Sequence, residues 1–327
     1  MQIGILGWDR EETESVGLLE AGTRRGHDVT LFTLDDIVLA HTATGPQAYV
    51  QGGPAARFDV VMSRAELRSA SFRADHERYA LLCETPGITV IDPAATYVAT
   101  EHKLQSMARL GAAGLPIAPT RSCASRADVA EALAQWGPVV LKPTFGYGGT
   151  DVERVYGLES DGGTVDRLLA DHGVLMCQPY LPHPEGDVRI TLVGDEAVLN
   201  CRRVPPGGDR WRANVMQGAR SVDFDAPEEM LEVARRAARV MGLTVAALDF
   251  LPAPGGDGFL IIEINNTPGW YFVPQERQER IAESVYRLVE ARMRGTSTHE
   301  DPMRDVLTPA EHVRADRARL EAGSLHG

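Results

Sequence analysis

The sequence predicts a mixed protein of α/β and α+β type, in which one parallel α/β layer precedes two α+β units. Strand and helix signals alternate over the first ninety or so residues, and the signals become antiparallel after Gly186. The chain of 327 residues also exceeds the roughly 250–300 at which a single hydrophobic core stops growing. We therefore expect an N-terminal domain over 1–95, a central subdomain over 96–185, a C-terminal subdomain over 186–295 and a polar tail over 296–327.

The N-terminal part alternates strands and helices. Residues 2–7 and 28–33 predict two strands on either side of a helix that ends at Gly26. The apolar segments 58–62 and 88–91 predict two more strands, with a helix between them. The turn GILGWDREE lacks the G-x-G-x-x-G spacing and carries two Glu, so a dinucleotide site is not expected there.

The central part predicts two helices and two strands. Thr100 is expected to cap the first helix, and Ser125 the second. A strand over 139–141 leads directly into Lys142 and the glycine-rich segment PTFGYGGTDV. A further strand over 174–177 precedes a proline-rich turn.

The C-terminal part predicts two antiparallel hairpins. Strands over 188–193 and 197–203 are joined by Gly-Asp-Glu, and strands over 246–251 and 259–264 flank PAPGGDG. Between the hairpins, an amphipathic helix is expected to begin after Pro227.

Composition narrows the class of function. Forty-six acidic and thirty-three basic residues give a net charge of −13, which opposes binding to nucleic acid and anionic lipid. No apolar stretch approaches the roughly 20 residues of a membrane span, and the signal-peptide pattern is absent, so a cytoplasmic protein without a membrane partner is expected. Four cysteines without a C-x-x-C pair predict neither a zinc knuckle nor a disulfide framework.

The two lysines of the chain are the first candidates for binding. All other basic residues are Arg, so Lys103 and Lys142 mark positions where a compact ammonium is favoured over a planar guanidinium. Lys142 directly precedes the glycine-rich segment, whose backbone N–H groups suit phosphate oxygens. The spacing is not that of a Walker loop. The alternatives are a composition bias and an ordinary glycine-rich turn.

A set of oxygen ligands lies on the second hairpin. Glu263 and Asn265 share one face of their strand, and Asp249 has the same relation to its apolar neighbours. If the strands pair, two carboxylates and an amide oxygen converge, which suits a hard cation such as Mg²⁺. The alternative is the solvent face of an antiparallel sheet.

A basic segment interrupts this acidic chain. Between residues 189 and 220 there are six arginines and only three acidic residues, which predicts either a site for an anionic ligand or a solvated hairpin surface. Asn214 and Gln217 interleave with these arginines, and Trp270, Tyr271 and Phe272 form either a pocket wall or plain packing. The arginines are Arg189, Arg202, Arg203, Arg210, Arg212 and Arg220.

Taken together, these motifs resemble the ATP-grasp superfamily, and most closely its RimK-like carboxylate–amine ligases. The shared features are two separated lysines, the glycine-rich loop, the turn QPYL, an arginine-rich hairpin and a D…E-x-N ending. The resemblance covers about residues 1–295. It is specific in EGDVRITLVGDEAV, RWRAN and LIIEINNTPG, and weak in the first ninety residues.

The resemblance implies an ATP-grasp fold, with an N-terminal Rossmann-like pre-grasp domain and two α+β subdomains that clasp ATP. Lys103 and Lys142 would bind the α and β phosphates, and Asp187 would lie near the ribose. A covering loop and a hinge that holds adenine through backbone groups would complete the nucleotide site. These residues are Thr144, Gly146, Gly148, Gly149, Thr150, Gln178, Pro179, Tyr180 and Leu181.

The resemblance also implies the metal and substrate contacts. Asp249, Glu263 and Asn265 would hold two Mg²⁺ ions, for which Mn²⁺ can substitute. The reacting carboxylate and the γ-phosphate would face Arg189, Arg203, Arg212 and Asn214.

The implied activity is ATP-dependent amide formation through an acyl phosphate, with a small-molecule carboxylate and amine as partners. A homodimer is typical of the family. Asp151 stands where such loops often carry a third Gly, and Met216-Gln217 replaces a His-Arg pair, which favours a small amino acid or peptide over polyglutamate addition to a protein. Two alternatives stay open: a phosphotransferase or cyclo-ligase acting on one substrate, and a non-catalytic ATP-binding module.

Overall fold

The computed structural model describes residues 1–295 except residues 44, 147, 208–210 and 257, so the predicted tail and Arg210 lie outside the described residues. The strands of this part form four sheets. They are β1 Gln2–Gly7, β2 Asp28–Phe32, β3 Ile37–Thr42, β4 Gly45–Val50, β5 Gly53–Pro54, β6 Val60–Arg64, β7 Thr89–Ile91, β8 Arg121–Cys123, β9 Val139–Pro143, β10 Glu153–Val155, β11 Leu175–Pro179, β12 Asp187–Val193, β13 Glu196–Val204, β14 Arg220–Asp223, β15 Val245–Pro252 and β16 Phe259–Asn265.

Eight α-helices accompany these strands in the described part of the chain. None of them has the length and apolar character that a membrane crossing requires. They are α1 Thr13–Arg24, α2 Phe72–Glu84, α3 Ala94–Glu101, α4 Lys103–Ala112, α5 Arg126–Trp136, α6 Leu158–His172, α7 Glu228–Met241 and α8 Gln275–Met293.

The N-terminal layer is a parallel sheet in the order β2-β1-β6-β7, as the alternating signals predict. The small antiparallel sheet β3-β4-β5, which interrupts that alternation, was not predicted from the sequence. The α/β prediction for this layer is therefore confirmed, with a hairpin inserted after β2.

The central sheet is antiparallel, in the order β10-β9-β11-β8, and its apolar side chains pack against α5 and α6. Ser125 caps α5 as predicted, because its Oγ accepts the N–H of Asp128 at 3.2 Å. The predicted cap at Thr100 is wrong. Thr100 lies inside α3 and donates to the carbonyl of Thr96 at 2.8 Å, whereas His102 caps α4.

The C-terminal sheet has the order β14-β13-β12-β15-β16, and all its pairings are antiparallel. Both predicted hairpins are present, and α4 and α7 cover its apolar face. The segment before β8 also pairs with β16, since the N–H of Ala118 donates to the carbonyl of Ile261 at 3.0 Å. This hydrogen bond connects the central part to the C-terminal sheet. The exact domain bounds stay a prediction.

Helix α8, which the sequence analysis did not identify, joins the N-terminal layer to the C-terminal sheet. It packs on α1, β12 and β13. Tyr286 donates to the carbonyl of Leu18 at 2.9 Å, and a Cβ on Gly22 would lie 2.2 Å from its hydroxyl, so only glycine fits there. Arg25 donates to Glu290 at 2.8 Å on the same interface.

We expect Glu290→Gln to destabilise the protein by about 2 kcal/mol at neutral pH, because it removes a charged partner of Arg25. The hydrogen bond from Arg25, opposed by burial and aided by His27, lowers the pKa of Glu290 from 4.5 to about 2. This stabilisation is present above pH 4.5 and is lost as the pH falls towards 2. Urea denaturation should show that the difference in the free energy of unfolding between wild type and variant disappears over that pH range. Glu279→Gln, on the exposed side of α8, is the control, and an equal effect there would contradict the assignment.

Candidate active site

A cavity of about 800 Å³ lies where the N-terminal layer, the central sheet and the C-terminal sheet meet. Its volume is in the range of small-molecule sites. Of the predicted site residues, Thr144 is outside the lining. The others line this one cavity: Lys103, Lys142, Gly146, Gly148, Gly149, Thr150, Gln178, Pro179, Tyr180, Leu181, Asp187, Arg189, Arg203, Arg212, Asn214, Asp249, Glu263 and Asn265.

Both lysines line the cavity, Lys142 buried and Lys103 with 12% of its side chain exposed. Lys103, the first residue of α4, donates from Nζ to Glu263 and from its backbone N–H to the carbonyl of Thr144 at 2.9 Å. Burial opposes the charge of Lys103, but Glu263 and Glu101 raise its pKa. Lys142 on β9 is 8% exposed, and burial lowers its pKa although Glu263 opposes the shift. An anion bound in the cavity would stabilise both ammonium groups.

The glycine-rich loop is shaped by positive φ angles. Gly148 and Gly149 have φ of +65° and +76°, and a Cβ on Gly149 would lie 2.6 Å from Oδ1 of Asn214. Gln217 donates to the carbonyls of both glycines at 3.1 Å. Asp151 also adopts the left-handed conformation, with φ of +54°. This position therefore keeps the geometry that glycine favours, at a cost in backbone strain.

The centre of the cavity is a buried network of charges. Asp249 on β15 accepts from Arg189 on β12 at 2.7 and 2.8 Å, and Arg203 on β13 lies 2.9 Å away. Arg203 also donates to Asp187 at 2.8 Å. Arg189 and Arg203 hold the pKa of Asp249 low in spite of its burial, whereas burial raises the pKa of Asp187. Arg189 and Arg203, two of the three predicted catalytic arginines, are thus bound to carboxylates at this centre.

Strand alternation produces this network. Asp187 and Arg189 point to the cavity, while Val188 and Ile190 belong to the core beneath the sheet. The chain can enter β12 so close to β13 only because residue 186 is glycine. Gly186 has φ of +93°, and a Cβ there would lie 1.9 Å from the carbonyl oxygen of Arg203.

The predicted metal ligands meet at the same centre. Asp249 and Glu263 are opposite each other in the pairing of β15 and β16, and Asn265 lies two residues further on the same face. Lys103 and Lys142 lower the pKa of Glu263 against the effect of burial, so both carboxylates are ionised. The Nδ2 atom of Asn265 is buried without a hydrogen-bond partner in the described structure. This oxygen-rich donor set fits Mg²⁺ that is also bound by phosphate oxygens.

The predicted hinge begins with the last two residues of β11, Gln178 and Pro179, and continues through Tyr180 and Leu181. The backbone N–H of Tyr180 donates to the carbonyl of Pro138 at 2.8 Å, so this group is already used within the protein. His183 contacts the carbonyls of Leu181 at 2.6 Å and Trp211 at 3.0 Å. The hinge and the segment that follows β13 are thereby joined beside the cavity.

Arg212 occupies the edge of the glycine-rich loop. Its guanidinium donates to the carbonyl of Val152 at 2.7 Å and to Glu153 at 2.8 Å. Together with Asn214 and Gln217, it attaches the segment after β13 to the loop after β9. Movement of the loop would therefore be transmitted to this segment.

The N-terminal layer also contributes residues to the cavity, which was not predicted from the sequence. Trp8, Glu12, Glu14, Arg64 and Glu66 line the cavity together with residues of the two other sheets. The two glutamates of GILGWDREE were interpreted only as an argument against a dinucleotide. Their position next to a helix start at the end of β1 was a signal that they face a site.

Two of these residues hold the loop that follows β16. Glu14 accepts the N–H groups of Trp270 and Tyr271 at 2.5 and 2.8 Å. Arg64 pairs with Glu12 and donates to the carbonyl of Pro268 at 3.1 Å. Trp270 is buried by this arrangement, whereas Tyr271 lines the cavity, so both interpretations of the aromatic run hold in part.

Comparison with known proteins identifies the class to which this fold and site belong. A family model described as a RimK-like ATP-grasp domain matches residues 100–289. The chain therefore belongs to the RimK-like ATP-grasp family of carboxylate–amine ligases, which form C–N bonds and use ATP with Mg²⁺. The ATP-grasp fold prediction is confirmed.

Relatives and solved structures extend this finding. A protein of Xanthomonas euvesicatoria named "Probable alpha-L-glutamate ligase" is 30% identical over 276 residues, with 82% of this chain and 90% of the relative covered. The RimK domain ATP-grasp protein from Sphaerobacter thermophilus has a TM-score of 0.67 at 20% identity, covering 88% of this chain and 98% of that one. The ATP-grasp ligase PsnB, solved with a minimal precursor, Mg and ADP, has a TM-score of 0.66 at 17% identity, covering 88% and 97%.

We expect Gly149→Ala to weaken ATP binding, because the added Cβ would displace Asn214 and strain the loop. The KM for ATP should rise about fivefold or more, in steady-state assays of ADP release. Gly87→Ala is a matched control, since φ is +85° there and nothing lies within 4 Å of the added Cβ. Both variants should lose stability, by about 1–2 kcal/mol. An equal KM for ATP in the two variants would show that the loop does not cover the nucleotide.

Proposed function

We propose that this chain transfers a phosphoryl group from ATP to a carboxylate and joins the resulting acyl phosphate to an amine. The observation that carries the proposal is the convergence of Lys103, Lys142, Arg189 and Arg203 around two ionised carboxylates at the centre of one cavity. Such a site binds and stabilises transferring phosphate without a covalent nucleophile.

Lys103 and Lys142 would hold the α and β phosphates, with Gly146, Gly148 and Gly149 covering them. The hinge at Gln178, Pro179, Tyr180 and Leu181 would contact adenine, and Asp187 would lie towards the ribose. Two Mg²⁺ ions would be bound by Asp249, Glu263 and Asn265, and Mn²⁺ could replace them. When bound, the metal neutralises phosphate charge and aligns the phosphate oxygens for transfer.

The arginines would act on the reacting groups. Arg189 and Arg203 are paired with Asp249, and a phosphate at the centre would share their guanidinium groups with that carboxylate. Arg189 and Arg203 would then stabilise the charge that develops on the transferred group. Arg212 and Asn214 would couple closure of the glycine-rich loop to this step and help exclude water from the acyl phosphate.

The proposed reaction has two steps. A carboxylate oxygen attacks the γ-phosphorus, the bond to the β-phosphate oxygen breaks, and ADP leaves. The amine nitrogen then attacks the carbonyl carbon, the C–N bond forms, the C–O bond to phosphate breaks, and a proton is lost from nitrogen. The products are an amide, ADP and phosphate.

The substrate side favours a small amino acid or a peptide. The relative's name specifies glutamate as a substrate of that protein, and PsnB was solved with a precursor. Here Trp8 and Tyr271 flank the N-terminal end of the cavity, with 51% and 45% of their surface exposed. Aromatic side chains at that end suit a ligand that is partly apolar and partly charged.

The function is tested by ADP release coupled to mass spectrometry, with ATP, Mg²⁺ and amino acids or dipeptides supplied singly and in pairs. We expect ADP release to need two substrates and to yield a product lighter than their sum by one water. ADP release with one substrate would instead identify a phosphotransferase, if the product is phosphorylated, or a cyclo-ligase, if it is cyclised.

Glu263→Gln should reduce turnover by at least about 100-fold, because the transition state would lose a metal-binding carboxylate. ATP binding, followed by isothermal titration calorimetry, should change by less than about fivefold, since the lysines and the loop remain. Glu131→Gln, which removes an exposed ion pair on α5, is the control for charge removal. Full turnover in Glu263→Gln would contradict the metal assignment.

A further inference from the structure

The charge of the cavity wall changes sign along its length. Around the centre, the wall has a small excess of positive charge, because four cations (Lys103, Lys142, Arg189 and Arg203) outnumber three carboxylates (Asp187, Asp249 and Glu263). The end formed by the N-terminal layer is instead rich in carboxylates, with Arg64 as the cation that accompanies them. These carboxylates are Asp9, Glu11, Glu12, Glu14 and Glu66. A phosphate or substrate carboxylate is favoured at the centre and disfavoured at this end.

Most of these carboxylates already accept hydrogen bonds from other groups of the protein. Glu12 is bound by Arg64 and by the N–H of Ser15 at 3.1 Å. Glu14 accepts two N–H groups of the loop after β16. Asp9 accepts the N–H of Glu11 at 2.7 Å, which shapes the turn itself. Asp9, Glu12 and Glu14 thus accept hydrogen bonds from within the protein, whereas Glu11 is exposed to solvent.

Glu66 differs from them. It lies two residues after the end of β6, is half-buried and faces the cavity. In the described part of the chain, its carboxylate makes no hydrogen bond and no ion pair, because the nearby Arg64 is committed to Glu12. Burial raises the pKa of Glu66, and the charge of Glu12 adds to the shift. A half-buried carboxylate in this situation gains more from a cationic ligand than one in water does.

We propose that Glu66 binds the ammonium group of the amine substrate, an α-amino acid or a peptide N-terminus, and accepts the proton that its nitrogen must lose before it attacks the acyl phosphate. The inference rests on the proposed ligase function and assigns the two substrates to opposite ends of the cavity. The substrate carboxylate to be activated lies at the cationic centre, and the amine reaches it from the acidic end.

The aromatic residues at the same end agree with this assignment. Trp8, which directly follows β1, and Tyr271, whose backbone N–H donates to Glu14, line the same cavity and are about half exposed. The face of an indole or phenol ring attracts an ammonium group, and the apolar body of the ring can pack against an aliphatic side chain. The cavity wall therefore offers a carboxylate for the charge of an amino-acid ligand and aromatic rings for its carbon chain.

The test compares two nucleophiles on the same acyl phosphate. Hydroxylamine is small and uncharged, so it traps the intermediate as a hydroxamate without an ammonium-binding residue. For Glu66→Gln, we expect the KM for the amine found in the substrate panel to rise about 10-fold or more, and the ratio of amide to hydroxamate to fall by a similar factor. Glu66→Asp should recover part of this ratio, which loss of structure alone would not produce.

Glu77→Gln on the exposed side of α2 removes the same charge away from the cavity and is expected to behave as wild type. An unchanged KM and product ratio in Glu66→Gln would overturn the inference. Absence of hydroxamate in the wild type would instead contradict the proposed function. In that case, binding of L-glutamate and the other amino acids to wild type and Glu66→Gln is measured by NMR titration. Weaker binding to Glu66→Gln supports the inference. Equal binding to the two proteins, or no binding to the wild type, overturns it.

Discussion

Buried charge at the centre of the cavity is the constraint on which the rest of this structure depends. Four cations, Lys103, Lys142, Arg189 and Arg203, surround the carboxylates of Asp187, Asp249 and Glu263. Charges withdrawn from water are tolerated only when they are paired and held in good geometry. Here the partners come from four antiparallel strands of one sheet, a strand of a neighbouring sheet and the start of a helix. Removing one partner would leave an uncompensated charge, which costs several kcal/mol, about 3–5 in comparable cases.

The remainder of the fold holds these partners in place. The register of β12 with β13 and β15 sets Arg189 opposite Asp249, and Gly186 permits the close approach that brings Asp187 to Arg203. The backbone of Lys103 is fixed by the carbonyl of Thr144. Contacts of α8 with α1 then close the N-terminal layer over the site, so that three sheets form one cavity.

Local sequence patterns predicted the parts of the site that lie on regular strands. The alternation in ALDFL and IIEINN placed Asp249 and Glu263 on one face, and the scarcity of lysine singled out Lys103 and Lys142. The ion pairs of Arg189 and Arg203 could not be predicted, because they depend on the pairing of strands distant in sequence. Glu66 was missed for the same reason: no motif surrounds it, and only tertiary packing brings it to the cavity.

Two errors in secondary structure have equally physical causes. Thr100 resembles a helix cap in the sequence, but burial on α3 gives its hydroxyl a carbonyl partner within the helix, and His102 takes the capping position. Helix α8 is rich in Arg and Glu, and its buried side chains are recognisable only against the layer that they contact.

The central claim is that the carboxylate is activated by phosphate before the amine attacks, and ¹⁸O transfer tests it most directly. The substrate carboxylate is labelled with ¹⁸O, and the inorganic phosphate released during amide formation is analysed by mass spectrometry. With both carboxylate oxygens labelled, we expect one ¹⁸O atom in each phosphate released. Amide formation with unlabelled phosphate would contradict an acyl phosphate and the assignment of the cationic centre to its formation.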